Sequence, residues 1–198
     1  MTSPTVGYSI DRSGRLARVN RAWDDFALRS SAPELVGRQP LGTLLLDHIS
    51  DKTTRLIYRY LFARVRQTGR PATFRCRCDS PDARRLMELS VYIGEDSLLE
   101  VRVQTIREVP RPTVAILEHG QRRSADRVTV CSWCNRMEAW PGHWVAVEDA
   151  IAHLDLLGHD PLPAIMHGSC HDCANVMLTV ATDPELAASG HVVLGGDL

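Results

Sequence analysis

Four of the six cysteines stand in two C-x-x-C pairs, Cys131-Ser132-Trp133-Cys134 and Cys170-His171-Asp172-Cys173, with residues 135–169 between them. Two residues between cysteines let both thiolates turn toward one point. Two such knuckles supply the four soft donors of a tetrahedral zinc site. Four thiolates leave no coordination position for water, so the chemistry this pattern points to is structural rather than hydrolytic. His167, just before the second pair, is the competing ligand. It either replaces one cysteine in a Cys₃His set or serves the ligand shell through a hydrogen bond or a helix-start contact. His171 lies inside the second knuckle and is read as facing solvent.

The spacer is longer than the roughly 15–20 residues of the simplest zinc ribbons, so it must carry its own structure. Residues 137–144 centre on Pro141-Gly142 and read as a hairpin with Trp140 and Trp144 as apolar payload. Val147, Ile151 and Leu154 fall at helical spacing, predicting a helix over residues 147–157 that Gly158 ends. The second knuckle opens a further helix running to residue 178, and residues 179–198 read as a tail. A module of about 50 residues buries little core by itself, which gives the metal a physical reason to be there.

The remainder of the chain must position that module. Residues 7–11 and 15–20 are short strand candidates joined by Arg12-Ser13-Gly14, and residues 21–31 follow as a helix with Trp23, Phe26 and Ala27 at helical spacing. Asp51 is an N-cap candidate for a long helix ending at Gly69, with Tyr58, Leu61, Phe62 and Val65 as its inward stripe. Three segments of period-2 alternation follow, over residues 73–78, 85–93 and 98–106. They predict an antiparallel sheet with one buried and one wetter face. Cys76 and Cys78 share one face of the first segment; the reading as two small core residues is preferred to a redox pair or half a metal site. Pro110-Arg111-Pro112 marks a boundary, and residues 110–127 read as a polar connector.

Hydrophobic residues make up 44% of the chain and charged ones 24%, the balance of a globular protein with a real core. No apolar run approaches the roughly 20 residues of a membrane helix, and no signal peptide is visible, so the expectation is cytoplasmic with no membrane partner. A reducing compartment favours metal over disulfide for paired cysteines. Basic side chains outnumber acidic ones in residues 1–110, and the reverse holds in residues 111–198. The acidic balance around the cysteine pairs argues against nucleic acid, whose binding is chiefly electrostatic.

The order strand, strand, helices, long helix, three strands resembles a PAS domain over residues 6–109. The resemblance is carried by Ile10-Asp11-Arg12-Ser13-Gly14-Arg15 leading into Val19-Asn20-Arg21-Ala22-Trp23, and by Leu35-Val36-Gly37-Arg38. It implies an antiparallel five-stranded sheet with helices on one face, enclosing a pocket used for sensing, dimerisation or partner binding. The flavin-adduct segment of light-sensing members is missing, since Gln39-Pro40-Leu41-Gly42-Thr43 holds no cysteine. Residues 51–69 hold no histidine for haem, and His48 just before them is read as a surface or capping residue. The pocket ligand is left open.

Residues 128–178 are similar to a zinc-type segment that follows PAS domains in some bacterial sensory proteins, with the pattern C-S-x-C-(K/N)-R, W-x-x-(V/L)-E and H-G-x-C-x-x-C. Here these are Cys131-Ser132-Trp133-Cys134-Asn135-Arg136, Trp144 with Val147-Glu148, and His167-Gly168-Ser169-Cys170-His171-Asp172-Cys173. The expectation is therefore an α+β regulatory protein, not an enzyme. Residues 6–109 would be the PAS-like sensory domain, 110–127 the connector, 128–178 a small zinc-stabilised α/β module and 179–198 a flexible tail, with a protein partner and a homodimer implied. Two rivals stand beside it. One is a zinc hydrolase or deaminase with an acid such as Glu138 or Glu148 beside an open coordination position. The other is a redox switch acting through oxidation of the zinc thiolates.

Overall fold

Alternation along residues 72–110 builds the sheet that organises the molecule. The computed structural model of the chain describes residues 4–30 and 32–196. In it β1 (Val6–Ile10), β2 (Leu16–Val19), β3 (Ala72–Arg77), β4 (Ala83–Ile93) and β5 (Leu99–Pro110) form one five-stranded sheet in the order β2-β1-β5-β4-β3. Every pairing in it is antiparallel. The N-terminal residues 1–3, the expected helix end at Ser31 and the final Asp197-Leu198 lie outside the described residues.

Register sorts the side chains. Ala72 faces Val91, which faces Val101, which faces Tyr8; Phe74, Leu89 and Val103 form the next rung. This apolar face receives α2 (Lys52–Thr68), whose Ile57, Leu61, Phe62 and Val65 are buried in the same core. Asp51 caps α2 from its N-terminal end, and Gly69 closes it at φ +68°, a left-handed turn that glycine takes without a Cβ clash. The shorter α1 (Arg21–Arg29) is capped by Asn20 and sets Trp23 edge-on to Tyr8, ring centroids 5.1 Å apart. The opposite face of the sheet carries Thr73, Glu88, Ser90, Tyr92, Arg102 and Gln104, which line an open polar trough.

A second sheet follows, built from β6 (Arg127–Cys131), β7 (Met137–Trp140), β8 (His143–Val145) and β9 (Ala164–Gly168) in the order β8-β7-β6-β9. The hairpin expected over residues 137–144 is the β7–β8 pair, but β6 and β9, which run parallel, were not expected. Val128, Val130 and Met137 pack with Val147 and Ala150 of α3 (Val147–His153) in a core of their own. Helix α3 stops short of residue 157 because Asp155 turns the chain at φ +51°.

Residues 110–127, read as a polar connector, are held at both ends. Pro110 closes β5, and Val114, Ile116 and Leu117 are buried in the second core. The Arg111 side chain, 5% exposed, bonds the carboxylates of Asp79 (3.3 Å) and Glu148 (2.9 Å). Arg77 pairs with the same Asp79, and Arg84 with the same Glu148 at 3.0 Å. The apolar run Val114-Ala115-Ile116-Leu117 is too short to show a period, so the sequence does not say which core receives it.

The segment after residue 178, expected as a flexible tail, is docked. Helix α4 (His171–Thr182) runs beyond residue 178, and α5 (Pro184–Ser189) follows, capped by Asp183. The chain then lies along β3: the Arg75 amide donates to Val192 O (2.8 Å) and the Leu194 amide to Arg75 O (2.9 Å). Val180, Ala181, Ala187, Val192 and Leu194 are all buried. This strap satisfies backbone groups that an edge strand otherwise leaves open. Among the described residues no helix is long and apolar enough to cross a membrane.

Candidate metal centre

The parallel pairing of β6 with β9 places both knuckles at one edge. Cys131, the last residue of β6, stands opposite Gly168, the last of β9. The Ser132 amide donates to Gly168 O at 2.8 Å. A Cβ on Gly168 would lie 2.8 Å from Thr129 Cγ2, so a larger residue there would have to displace that methyl. After the first knuckle the chain reverses tightly. The Cys131 amide donates to Arg136 O, and Asn135 takes φ +59°. After the second, Cys170 becomes the N-cap of α4, its Sγ accepting from the Cys173 amide at 3.4 Å.

The result is a cluster of four buried cysteines, Cys131, Cys134, Cys170 and Cys173, whose Sγ atoms all lie within 4.8 Å of one another. Cys134 Sγ and Cys170 Sγ, one from each knuckle, are 3.8 Å apart. A tetrahedral ion with Zn–S bonds of about 2.3 Å spaces its sulfurs by about 3.8 Å. The Cys170 amide also donates across the cluster to Cys131 Sγ, at 3.4 Å.

The electrostatics fit a cation. Side-chain hydrogen bonding with Cys134 and Cys173, joined by the Cys170 amide, holds the pKa of Cys131 far below that of an ordinary thiol. For the same reason Cys134 and Cys173, which share those hydrogen bonds, are pushed up, with burial adding to the shift. Sulfurs this close repel one another as anions, so on their own they share protons around one thiolate. A dication reverses that balance and lets all four ionise. The four sulfurs could hold a metal ion, and an all-thiolate set is consistent with zinc.

His167 sits on β9 opposite Val130, exposed and outside the group of converging ligand atoms. His171 is exposed on α4 with the Asn175 amide at its ring. His48 meets Thr43 Oγ1 through Nε2 at 2.8 Å. Neither acid named for a hydrolytic site joins the cluster. Glu138 accepts from the Gly142 amide, and Glu148 is held by Arg84 and Arg111. Cys76 lies on β3 and Cys78 just past its end, and burial raises both thiols, Cys76 to about 12. Cys76 belongs to the main core, with Cys78 packed against it.

Sequence reasoning missed how the cluster is seated. Trp133, the second residue inside the first knuckle, is 2% exposed and lodges between Tyr58 of α2 (5.5 Å) and Phe74 of β3 (5.8 Å). Its indole N–H donates to Ser169 Oγ (3.2 Å), which in turn donates to Asp51 Oδ2 (2.8 Å). Asp51 also accepts from the Thr54 amide and hydroxyl, so the cap of α2 is simultaneously the anchor of the second knuckle. The Trp133 carbonyl accepts from the Arg77 amide at 2.8 Å. The four cysteines therefore belong to the same core as Ile57, Leu61 and Val91. The available signal was the pairing of a large aromatic inside one knuckle with a hydroxyl residue just before the other.

No protein-family model, no curated protein and no solved structure matches the chain.

Proposed function

We propose that this chain is a regulatory protein of the bacterial sensory type. Residues 6–109 form a PAS-like domain that senses a ligand or binds a partner. Residues 128–178 form a zinc-stabilised module whose surface serves as output. The sheet, its helices on one face and the element order agree with the PAS resemblance. The four-thiolate donor set supports zinc in a structural role, because a filled tetrahedral shell leaves no place for a reacting water.

One observation carries the regulatory reading: the first knuckle delivers Trp133 into the sheet's own core and the second is hydrogen-bonded to the cap of α2. A change in packing around α2 reaches the metal centre through one indole and one hydroxyl. That is the contact a two-part regulator needs between input and output. The output itself is contact with a protein partner, and the assembly a homodimer in the cytoplasm.

Elemental analysis and native mass spectrometry of protein purified without added metal test this directly. The expected mass is that of a dimer with one zinc per chain. Folded protein free of metal overturns the zinc module, and a monomer at all concentrations overturns the dimer.

A further inference from the structure

One side of the cysteine cluster opens on a cleft of about 160 Å³. Its walls include Cys134, Cys170 and Cys173, with Arg136, Val176 of α4 and Gly195 of the C-terminal strap. Cys131 is not among them; all four cysteines are buried, Cys131 at 1% and the other three at 3–4% exposed. The strap fits tightly: Gly195 takes φ +94°, and a Cβ there would lie 3.1 Å from Cys134 Cα. A cleft of this volume, open to solvent on one side, admits water-sized molecules.

We infer that this cleft admits a small peroxide-class oxidant and that Cys134 and Cys170 are the pair it joins. The inference rests on the zinc reading above. Two conditions select the pair. Both residues must line the cleft, which removes Cys131, and the pair must bridge the two knuckles with its sulfurs already in contact. Cys134 and Cys170 meet both at 3.8 Å.

The chemistry balances within those groups. The Cys134 thiolate attacks one peroxide oxygen; the S–O bond forms, the O–O bond breaks, and the departing hydroxide takes a proton from solvent. The Cys170 thiolate then displaces hydroxide from that sulfur, forming S–S and breaking S–O, and this hydroxide takes a second solvent proton. Two thiolates give up two electrons, and one peroxide becomes two waters. The sulfurs so joined no longer carry the charge that retains a dication. Because the new bond ties one knuckle to the other, the two stay together after the ion is lost.

The test uses the zinc-loaded full chain titrated with hydrogen peroxide, reading zinc release with a chromogenic chelator and mapping disulfides by non-reducing peptide mass spectrometry. One zinc released per disulfide, with Cys134–Cys170 as the main linkage, is the expected result. Val176→Trp fills the cleft from a position 39% exposed; it should slow release several-fold while the zinc content stays at the parent value. A main linkage other than Cys134–Cys170, or an unchanged rate in V176W, overturns the inference. Zinc bound and retained under peroxide overturns it alone, leaving the zinc reading standing. A chain purified without zinc overturns that reading first and this inference with it.

Discussion

The five-stranded sheet with α2 and the four-stranded sheet with its two knuckles solve the same problem by different means. In the first, long strands present an unbroken apolar face, and Ile57, Leu61, Val65, Phe74, Val91 and Leu99 are almost wholly removed from water. In the second, the strands are short: β8 has 3 residues and β7 has 4. Their own core is small, and the four sulfurs converge outside it, in the core of the larger sheet. The first region is specified by periodicity and the second by donor atoms. The two meet in one core at Trp133, so neither is energetically private.

The largest effect should come from removing a sulfur. In Cys170→Ser the knuckles lose a ligand while the serine hydroxyl still suits the N-cap of α4, and structural zinc contributes on the order of 10 kcal/mol in small modules. Hydrogen exchange should show β6, β9 and α4 losing amide protection while β4 and β5 retain theirs. Uniform loss across both sheets would break the distinction drawn here.

A smaller effect is expected from Trp133→Ala, which empties the space between Tyr58 and Phe74 but leaves every ligand in place. Its cost should be about 3–5 kcal/mol, as for other buried aromatics, read from urea unfolding with zinc content unchanged. Loss of zinc in that variant would show that the knuckle cannot hold its shape without the indole seat.

The smallest belongs to Asp51. Burial raises its pKa, but hydrogen bonds from the Thr54 hydroxyl and amide, the Ser169 hydroxyl and the Thr53 amide outweigh burial and hold it below 3.8. A carboxyl with a depressed folded pKa stabilises the fold above its unfolded pKa, and that contribution fades as pH falls through the folded value. Asp51→Ala should cost about 1–2 kcal/mol at neutral pH, the range for a lost N-cap. It should also flatten the acid limb of stability against pH. A variant with an acid limb as steep as the parent's would assign the pH dependence to other carboxyls.

The two regions were unequally legible. The alternation of Phe74 and Cys76 against Arg75 and Arg77 announces β3, and Asp51 with Gly69 brackets α2 to within a residue. The two C-x-x-C pairs announce their own convergence, because the donor types and spacing leave few other uses. What stayed hidden depends on long-range register. Arg127–Cys131 and Ala164–Gly168 are too short to show a period, and their parallel pairing is a relation between distant segments. The strap along β3 was hidden for the same reason, since its partner is Arg75. Trp133 looked like spacer inside a knuckle until the sheet supplied its neighbours.

The parallel alignment of β6 and β9 also has a practical side. Residues 135–163 leave the sulfur cluster at the end of β6 and re-enter at the start of β9, at the opposite end of the parallel pair, and this crossover carries the exposed Pro141-Gly142 reversal, with Gly142 at φ +79°. Length added at that reversal changes the crossover and not the alignment of its two roots. It is the natural place to graft a reporter, an epitope or a foreign loop into this protein while leaving the ligand geometry as it stands.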